Sequence, residues 1–186
     1  MLGRRCTLQK TSARTGPGQK IIIKLTNIFF KRPTAAFFLT VVLAAPWSAP
    51  PAQAQQQELP LEPLAIETAA GKRLFRVEVA RTEQQRAIGL MWREQMDPDK
   101  GMLFDFETER HVVMWMKNTP LSLDMLFIAL DGRIATIANY TKPYSTDRIP
   151  SGVKVGAVLE LVAGSAQRLG IAPGDQVRHS MFGNPP

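Results

Sequence analysis

The chemically richest part of the chain is the stretch 115–119, which is followed by a carboxylate at Asp124. It offers an aromatic face at Trp115, an ammonium at Lys117 and an amide at Asn118. A strand that ends here and turns at Asn118 would bring these groups and Asp124 to one rim. Such a mixture suits a small polar ligand or carbohydrate, which stacks on the ring and hydrogen-bonds around it. We therefore predict a ligand-binding rim of Trp115, Lys117, Asn118 and Asp124.

The same residues also have a structural interpretation. Asn118 can satisfy backbone groups of a turn, Asp124 can tie a loop, and Trp115 can fill the core. The two interpretations differ in exposure. A binding rim requires Trp115 and Lys117 to be partly exposed, whereas a structural role buries Trp115.

A pair of carboxylates provides a second hypothesis. Asp124 and Glu160 lie at the edges of two strongly apolar stretches. Two carboxyl groups within about 10 Å across a cleft could catalyse hydrolysis as general acid and base. Alternatively, each carboxylate could be the ion-pair partner of Lys117, Arg93 or Arg148, because buried acids are usually paired.

Methionine and histidine provide a third hypothesis, a metal-handling protein. Thioethers are soft ligands suited to Cu(I), but methionine inside apolar stretches is ordinary core filler. The sequence does not define a metal site or a cofactor, and it contains no nucleophile elbow, P-loop or dinucleotide fingerprint. The residues in question are Met91, Met96, Met102, Met114, Met116, Met125, Met181, His111 and His179.

The elements that must position these groups are mostly strands. Residues 64–68 and 74–80 are apolar-rich and joined by a Gly-containing turn, and Phe75, Val77 and Val79 alternate with polar residues. Thr82, with Gln85 three residues later, predicts a capped helix. The remaining predicted strands are 101–104, 112–116, 125–130, 133–140, 155–162 and 176–182.

Connections between these elements can also be predicted. Asp131-Gly132 favours a hairpin with a type I′ turn, 142–152 a long exposed loop, and 163–170 a short helix closed by Gly170. Many short strands with one or two helices predict a mainly β fold, a small β-sandwich or jelly-roll-like partial barrel. We expect one core containing Phe75, Val77, Val79, Leu126, Ile128, Leu159 and Leu161.

Five strings, read in order over 64–177, together resemble the domain-of-unknown-function family 192. The resemblance implies a small β-rich domain, similar to jelly-roll sandwiches and often exported in bacteria, and it implies no activity. One departure is His111-Val112-Val113, where family members usually carry an aromatic residue or serine. The strings are Thr82…Arg86-Ala87-Ile88-Gly89-Leu90-Met91, Gly101-Met102-Leu103-Phe104, Trp115-Met116-Lys117-Asn118-Thr119, Leu121-Ser122-Leu123-Asp124-Met125-Leu126-Phe127-Ile128, and Val158-Leu159-Glu160-Leu161…Gly164…Gly170-Ile171…Gly174-Asp175.

The first 54 residues have the pattern of a secretory leader. Basic residues precede an apolar stretch, 35–45, which as a helix spans about 16 Å and is too short for a bilayer. A small-x-small cleavage site follows at Ala52-Gln53-Ala54. We predict a cleaved leader at 1–54, a flexible tether at 55–63, one β domain at 64–182 and a tail at 183–186. An uncleaved membrane anchor is the alternative for the leader.

The net charge of +7 comes from the leader. Residues 55–186 carry 15 basic and 16 acidic residues, a formal charge of −1. A near-neutral domain with no basic cluster lacks the charge pattern of nucleic-acid binding. We therefore expect no nucleic-acid partner. From the leader we expect a periplasmic or secreted protein, which has no membrane contact after cleavage.

N-terminal sequencing of the exported protein should begin at Gln55, because signal peptidase recognises small residues at the first and third positions before the cut. A product that retains Trp47 would contradict the predicted cleavage.

Overall fold

The computed structural model describes residues 58–186, so the predicted leader and the first residues of the tether lie outside the described part of the chain. Two short helices, α1 (Glu83–Ile88) and α2 (Ser165–Leu169), and a 3-10 turn (Ser180–Phe182) accompany seven strands. The strands are β1 (Leu61–Thr68), β2 (Gly71–Ala80), β3 (Lys100–Met114), β4 (Leu123–Ile128), β5 (Ile134–Ala138), β6 (Ile149–Val162) and β7 (Gln176–Arg178). No helix within 58–186 is long and apolar enough to cross a membrane.

All seven strands belong to one curled sheet in the order β5-β4-β6-β3-β2-β1-β7. Only β2 and β3 run parallel. The outermost strands meet at one end, because Arg133, just before β5, pairs with Gln176 of β7. The N–H of Ile134 also donates to the carbonyl of Asp175 at 3.0 Å. The mainly β prediction is confirmed in its partial-barrel form.

The sheet buries side chains on both faces. One face packs against Ala166 of α2 and is called the α2 face; it contains all seven predicted core residues, so that prediction is confirmed. The other packs against Leu90 and Met116 and is called the groove face. Because β4 is buried on both faces, its residues 125–128 form an unbroken apolar stretch rather than an alternating one.

Both predicted helices form; α1 begins and α2 ends where the sequence predicts. The Thr82 hydroxyl accepts the N–H of Gln85, and the Gln85 amide oxygen accepts the N–H of Thr82, which completes the capping box of α1. Gly170 ends α2 in a left-handed conformation that a residue without Cβ adopts readily.

Several boundaries differ from the predicted ones. The sheet begins at Leu61, inside the predicted tether. The two predicted strands 101–104 and 112–116 form the single 15-residue strand β3, which continues through irregular pairing with β6. The final strand has only three residues, and β6 starts inside the predicted loop 142–152.

The Asp131-Gly132 hairpin is present, but the predicted type I′ turn is wrong. Such a turn needs positive φ at both central residues. Only Gly132 has one, at 84°, and its N–H donates to the carbonyl of Ala129 at 3.0 Å. The register shift between Phe127 and Ile128 accompanies this turn as a bulge.

Candidate functional site

A groove of about 460 Å³ lies on the groove face, between α1 with the segment after it and the end of β3. This volume falls within the range of small-molecule sites. Its lining residues are Glu83, Arg86, Ala87, Ile88, Gly89, Leu90, Met91, Phe104, Phe106, Arg110, Val113, Met114, Trp115, Lys117, Thr119 and Glu160.

Three cationic side chains border the groove and rest on aromatic rings. The guanidinium carbons of Arg110 and Arg86 lie 4.6 and 5.7 Å from the centroid of Phe106. The Lys117 ammonium lies 5.5 Å from the Trp115 ring. Within the described residues none of these three cations has a carboxylate within 4.0 Å. Their charges are therefore available to a ligand.

Arg86 is held in place from one side. Its Nη1 donates to the carbonyls of Arg81 and Asp105, at 2.5 and 2.7 Å. The bond to Asp105 joins α1 to β3 where β3 loses its regular pairing, between Asp105 and Arg110. After this irregular segment of β3, the Arg110 side chain lies beside Phe106.

Glu160 lies at the base of the groove, near the C-terminal end of β6. Its backbone partners are Met102 of β3 and Met125 of β4, both buried, and the side chain is 4% exposed. Burial raises the pKa of Glu160 to about 8. The carboxyl group is therefore mostly protonated at neutral pH and can donate a hydrogen bond into the groove.

The turn after β3 holds the aromatic side of the groove. Asn118 has φ 56°, and its carbonyl accepts the N–H of Trp92 at 2.7 Å. Trp92 and Tyr144 also have positive φ, 62° and 59°, and the N–H of Tyr144 donates to the carbonyl of Thr119. Positive φ is unfavourable for large aromatic residues and is concentrated at functional sites.

The comparisons with known proteins identify the family. The profile of the family DUF192, "Uncharacterized ACR", matches residues 65–179. The chain belongs to this family. No protein among the curated sequences matches it.

Two solved structures share the DUF192 chain's fold. One, from Sinorhizobium meliloti, is described as a candidate transcription regulator. It is 48% identical in sequence and has a TM-score of 0.66, and the match covers 68% of this chain and 98% of that chain. The other, a protein of unknown function from Novosphingobium aromaticivorans, is 37% identical with a TM-score of 0.64, over 70% and 94% of the two chains.

Two of the four predicted rim residues of this DUF192 protein line the groove. Trp115 is 51% exposed and Lys117 is exposed, as a binding rim requires. Asn118 is half-buried beside the groove, and its Nδ2 donates to the Met91 sulfur at 3.7 Å. Its observed role is to shape the turn.

Asp124 does not belong to the rim, which corrects that part of the prediction. It is fully buried on the α2 face. Its Oδ1 accepts the N–H of Tyr140 at 3.0 Å, and its Oδ2 accepts the N–H of Ala166 at 2.9 Å. Both oxygens are occupied, so Asp124 ties α2 and the end of β5 to the sheet and does not pair with Lys117.

The proposed catalytic pair does not form either. Asp124 lies opposite Leu161, and Glu160 lies opposite Met125. Because successive side chains of a strand alternate, the two carboxylates point to opposite faces of the sheet. They cannot act on one substrate bond. Nor does Glu160 pair with Arg93, which instead forms a buried ion pair with Glu78.

The metal hypothesis gains no geometric support. His111 is exposed on β3, and the buried His179 lies near Glu62, so neither lines the groove. Met91 and Met114 line it, but the Met116 sulfur accepts a hydrogen bond from the Thr141 hydroxyl. No group of three His, Cys, Asp or Glu within 58–186 could hold a metal ion.

The sequence does not predict Arg86, Phe106 or Arg110 as site residues. A signal was available for one of them, because Arg86 belongs to the first string that carries the family resemblance. Four of those five strings line the groove, through Arg86, Phe104, Trp115 and Glu160 among others. Phe106 and Arg110 lie outside the strings and have no such signal.

Proposed function

We propose that this protein is a binding module for a small organic anion, which the groove holds between its cationic side chains and Trp115. One observation carries the proposal. Arg86, Arg110 and Lys117 meet around one groove without a carboxylate partner among the described residues. An anionic group is the partner that such a cluster selects, through charge-assisted hydrogen bonds.

The lining also indicates the rest of the ligand. Trp115 is half exposed at the groove edge, and Val113 and Met114 continue an apolar wall beside it. A flat or apolar ligand body can pack there while its charged end reaches the cations. The ligand class is therefore a small amphipathic acid, such as an aromatic carboxylate, sulfonate or phosphate ester.

Carbohydrate is the close alternative, because sugars stack on exposed tryptophan. A neutral sugar would leave three cationic groups without a charged partner, so the charge of the groove favours an acid. An acidic sugar satisfies both features and lies within the proposed class.

We further propose that the module works in the cell envelope, as the pattern of residues 1–54 suggests. The description of one relative as a candidate transcription regulator raises contact with DNA as another possibility. The formal charge of −1 over residues 55–186 argues against direct contact with DNA, which depends on neutralising phosphates.

Replacing Lys117 or Arg110 by alanine should weaken binding of naphthalenesulfonate, an aromatic anion of constant charge. Each change removes one charge-assisted contact, so we expect the dissociation constant to rise about 5- to 30-fold. Calorimetric titration of the purified protein measures this. Lys72→Ala, which removes an exposed lysine outside the groove, is the matched control and should bind as the unmodified protein does.

A third variant separates binding from stability. Trp115→Ala should also weaken binding while leaving the melting temperature nearly unchanged, because the ring is half exposed. If the unmodified protein prefers naphthylmethylammonium to naphthalenesulfonate, or if Lys72→Ala weakens binding as much as Lys117→Ala, the anion-binding proposal is wrong.

A further inference from the structure

We propose that the groove binds its anionic ligand together with one proton, which is held on the carboxyl group of Glu160. This inference rests on the proposed anion-binding function and adds its coupling to pH. Glu160 thereby becomes a hydrogen-bond donor to the ligand rather than a negative charge.

The carboxyl group of Glu160 is isolated. Within the described residues no cation or hydrogen-bond donor contacts it, and burial is the only influence that shifts its pKa. Its neighbours across the strands, Met102 and Met125, are buried thioethers. Among the described residues the fully buried side-chain atoms without a partner are Arg93 Nε and His179 Nε2, so the Glu160 oxygens remain accessible from the groove. Since the side chain lines the groove, a ligand can supply the missing partner.

The charge of Glu160 affects the binding of an anion. An ionised Glu160 would repel an anion held in the same groove, and the apolar surroundings would strengthen this repulsion. A protonated Glu160 offers an O–H that donates to the anion or to a nearby acceptor. The ligand should therefore bind the acid form of Glu160 and exclude the ionised form.

Several charged groups surround Glu160 on this face of the sheet. The cations border the groove where water reaches them, so they stabilise a ligand anion more than they stabilise a buried carboxylate. On β2, Glu78 is neutralised by its ion pair with Arg93, and β4 contributes Met125 on this face. The groups bordering the groove are Glu83 and Arg86 of α1, Arg110 of β3 and Lys117 of the following turn.

The consequence is a specific pH dependence. With the pKa of Glu160 at about 8, the carboxyl group is protonated below that pH and ionised above it. Binding is then constant at lower pH and weakens as the fraction of protonated protein falls. Conversely, a bound anion raises the affinity of Glu160 for its proton, so binding takes up protons near and above pH 8.

The test compares the dissociation constant of naphthalenesulfonate at about pH 6.5 and about pH 9, where the sulfonate and the arginines keep their charge. In the unmodified protein the constant should rise about tenfold between the two values, since about one molecule in ten stays protonated at the higher pH. Glu160→Gln cannot ionise, so this ratio should fall to about one. Lys117→Ala should keep the tenfold ratio, which excludes the lysine as the titrating group.

Three other outcomes contradict these proposals in different ways. Equal affinity of the unmodified protein at both pH values would overturn the proton coupling but leave anion binding intact. Tighter binding at the higher pH, lost in Glu160→Gln, would mean that Glu160 acts as a carboxylate toward a cationic group, and would also overturn it. No binding at about pH 6.5, where Glu160 is protonated, would overturn the anion-binding function itself.

Discussion

Asp124→Ala should lower the free energy of unfolding by about 3–5 kcal/mol and leave the groove's affinity for naphthalenesulfonate unchanged. The carboxylate is fully buried and accepts the N–H groups of Tyr140 and Ala166, at 3.0 and 2.9 Å. Alanine removes both acceptors and leaves two donors with no partner, one of them in the first turn of α2. Denaturant unfolding measures the loss.

Asp124→Asn is the matched variant, because it keeps the shape but replaces one acceptor oxygen by a donor. The amide nitrogen would face a backbone N–H, so we expect a loss of about 2–3 kcal/mol, smaller than that of alanine. A variant that unfolds like the unmodified protein but loses naphthalenesulfonate binding would restore Asp124 to the binding site and contradict its structural role.

The α2 face of the sheet could be predicted because the sequence marks it. Phe75, Val77 and Val79 alternate with polar residues, and a period of two assigns them to one buried face. The capping box at Thr82 and the glycine after α2 are equally local signals, and both are confirmed. Each of these features is decided by residues close together in the chain.

The positions of Asp124 and Glu160 could not be predicted in this way. Both lie on strands whose two faces are buried, so no alternation shows which face each side chain joins. The face depends on the register between β4 and β6, in which Asp124 pairs with Leu161. A shift of one residue would have placed the carboxylates directly opposite each other on one face.

The cationic border of the groove depends on an irregular strand. The pairing of β3 with β6 breaks between Asp105 and Arg110, and Glu107 within this excursion has φ 62°. No glycine, proline or asparagine marks the irregularity in the sequence, which reads as continuous strand or loop. Arg110 therefore reaches Phe106 for reasons of tertiary structure alone.

Glu160→Gln should raise the free energy of unfolding at pH 7 by about 3 kcal/mol, the unusual case of a core substitution that stabilises. Burial raises the pKa of Glu160 from 4.5 to about 8. The unfolded chain therefore loses this proton first as the pH rises. The contribution of Glu160 to stability should therefore be largest below pH 4.5, and it should fall by about 1.4 kcal/mol per pH unit between pH 4.5 and pH 8.

Glutamine stays neutral throughout this range, so the variant should lose that part of the pH dependence. Denaturant unfolding at several pH values tests this, with Glu83→Gln as the control, because Glu83 is exposed at the border of the groove. A Glu160→Gln protein that is less stable than the unmodified one at pH 7 would show that a partner supports the carboxylate. The expected gain would instead mean that the fold tolerates a destabilising acid at the base of its groove, as binding sites commonly do when function and stability conflict.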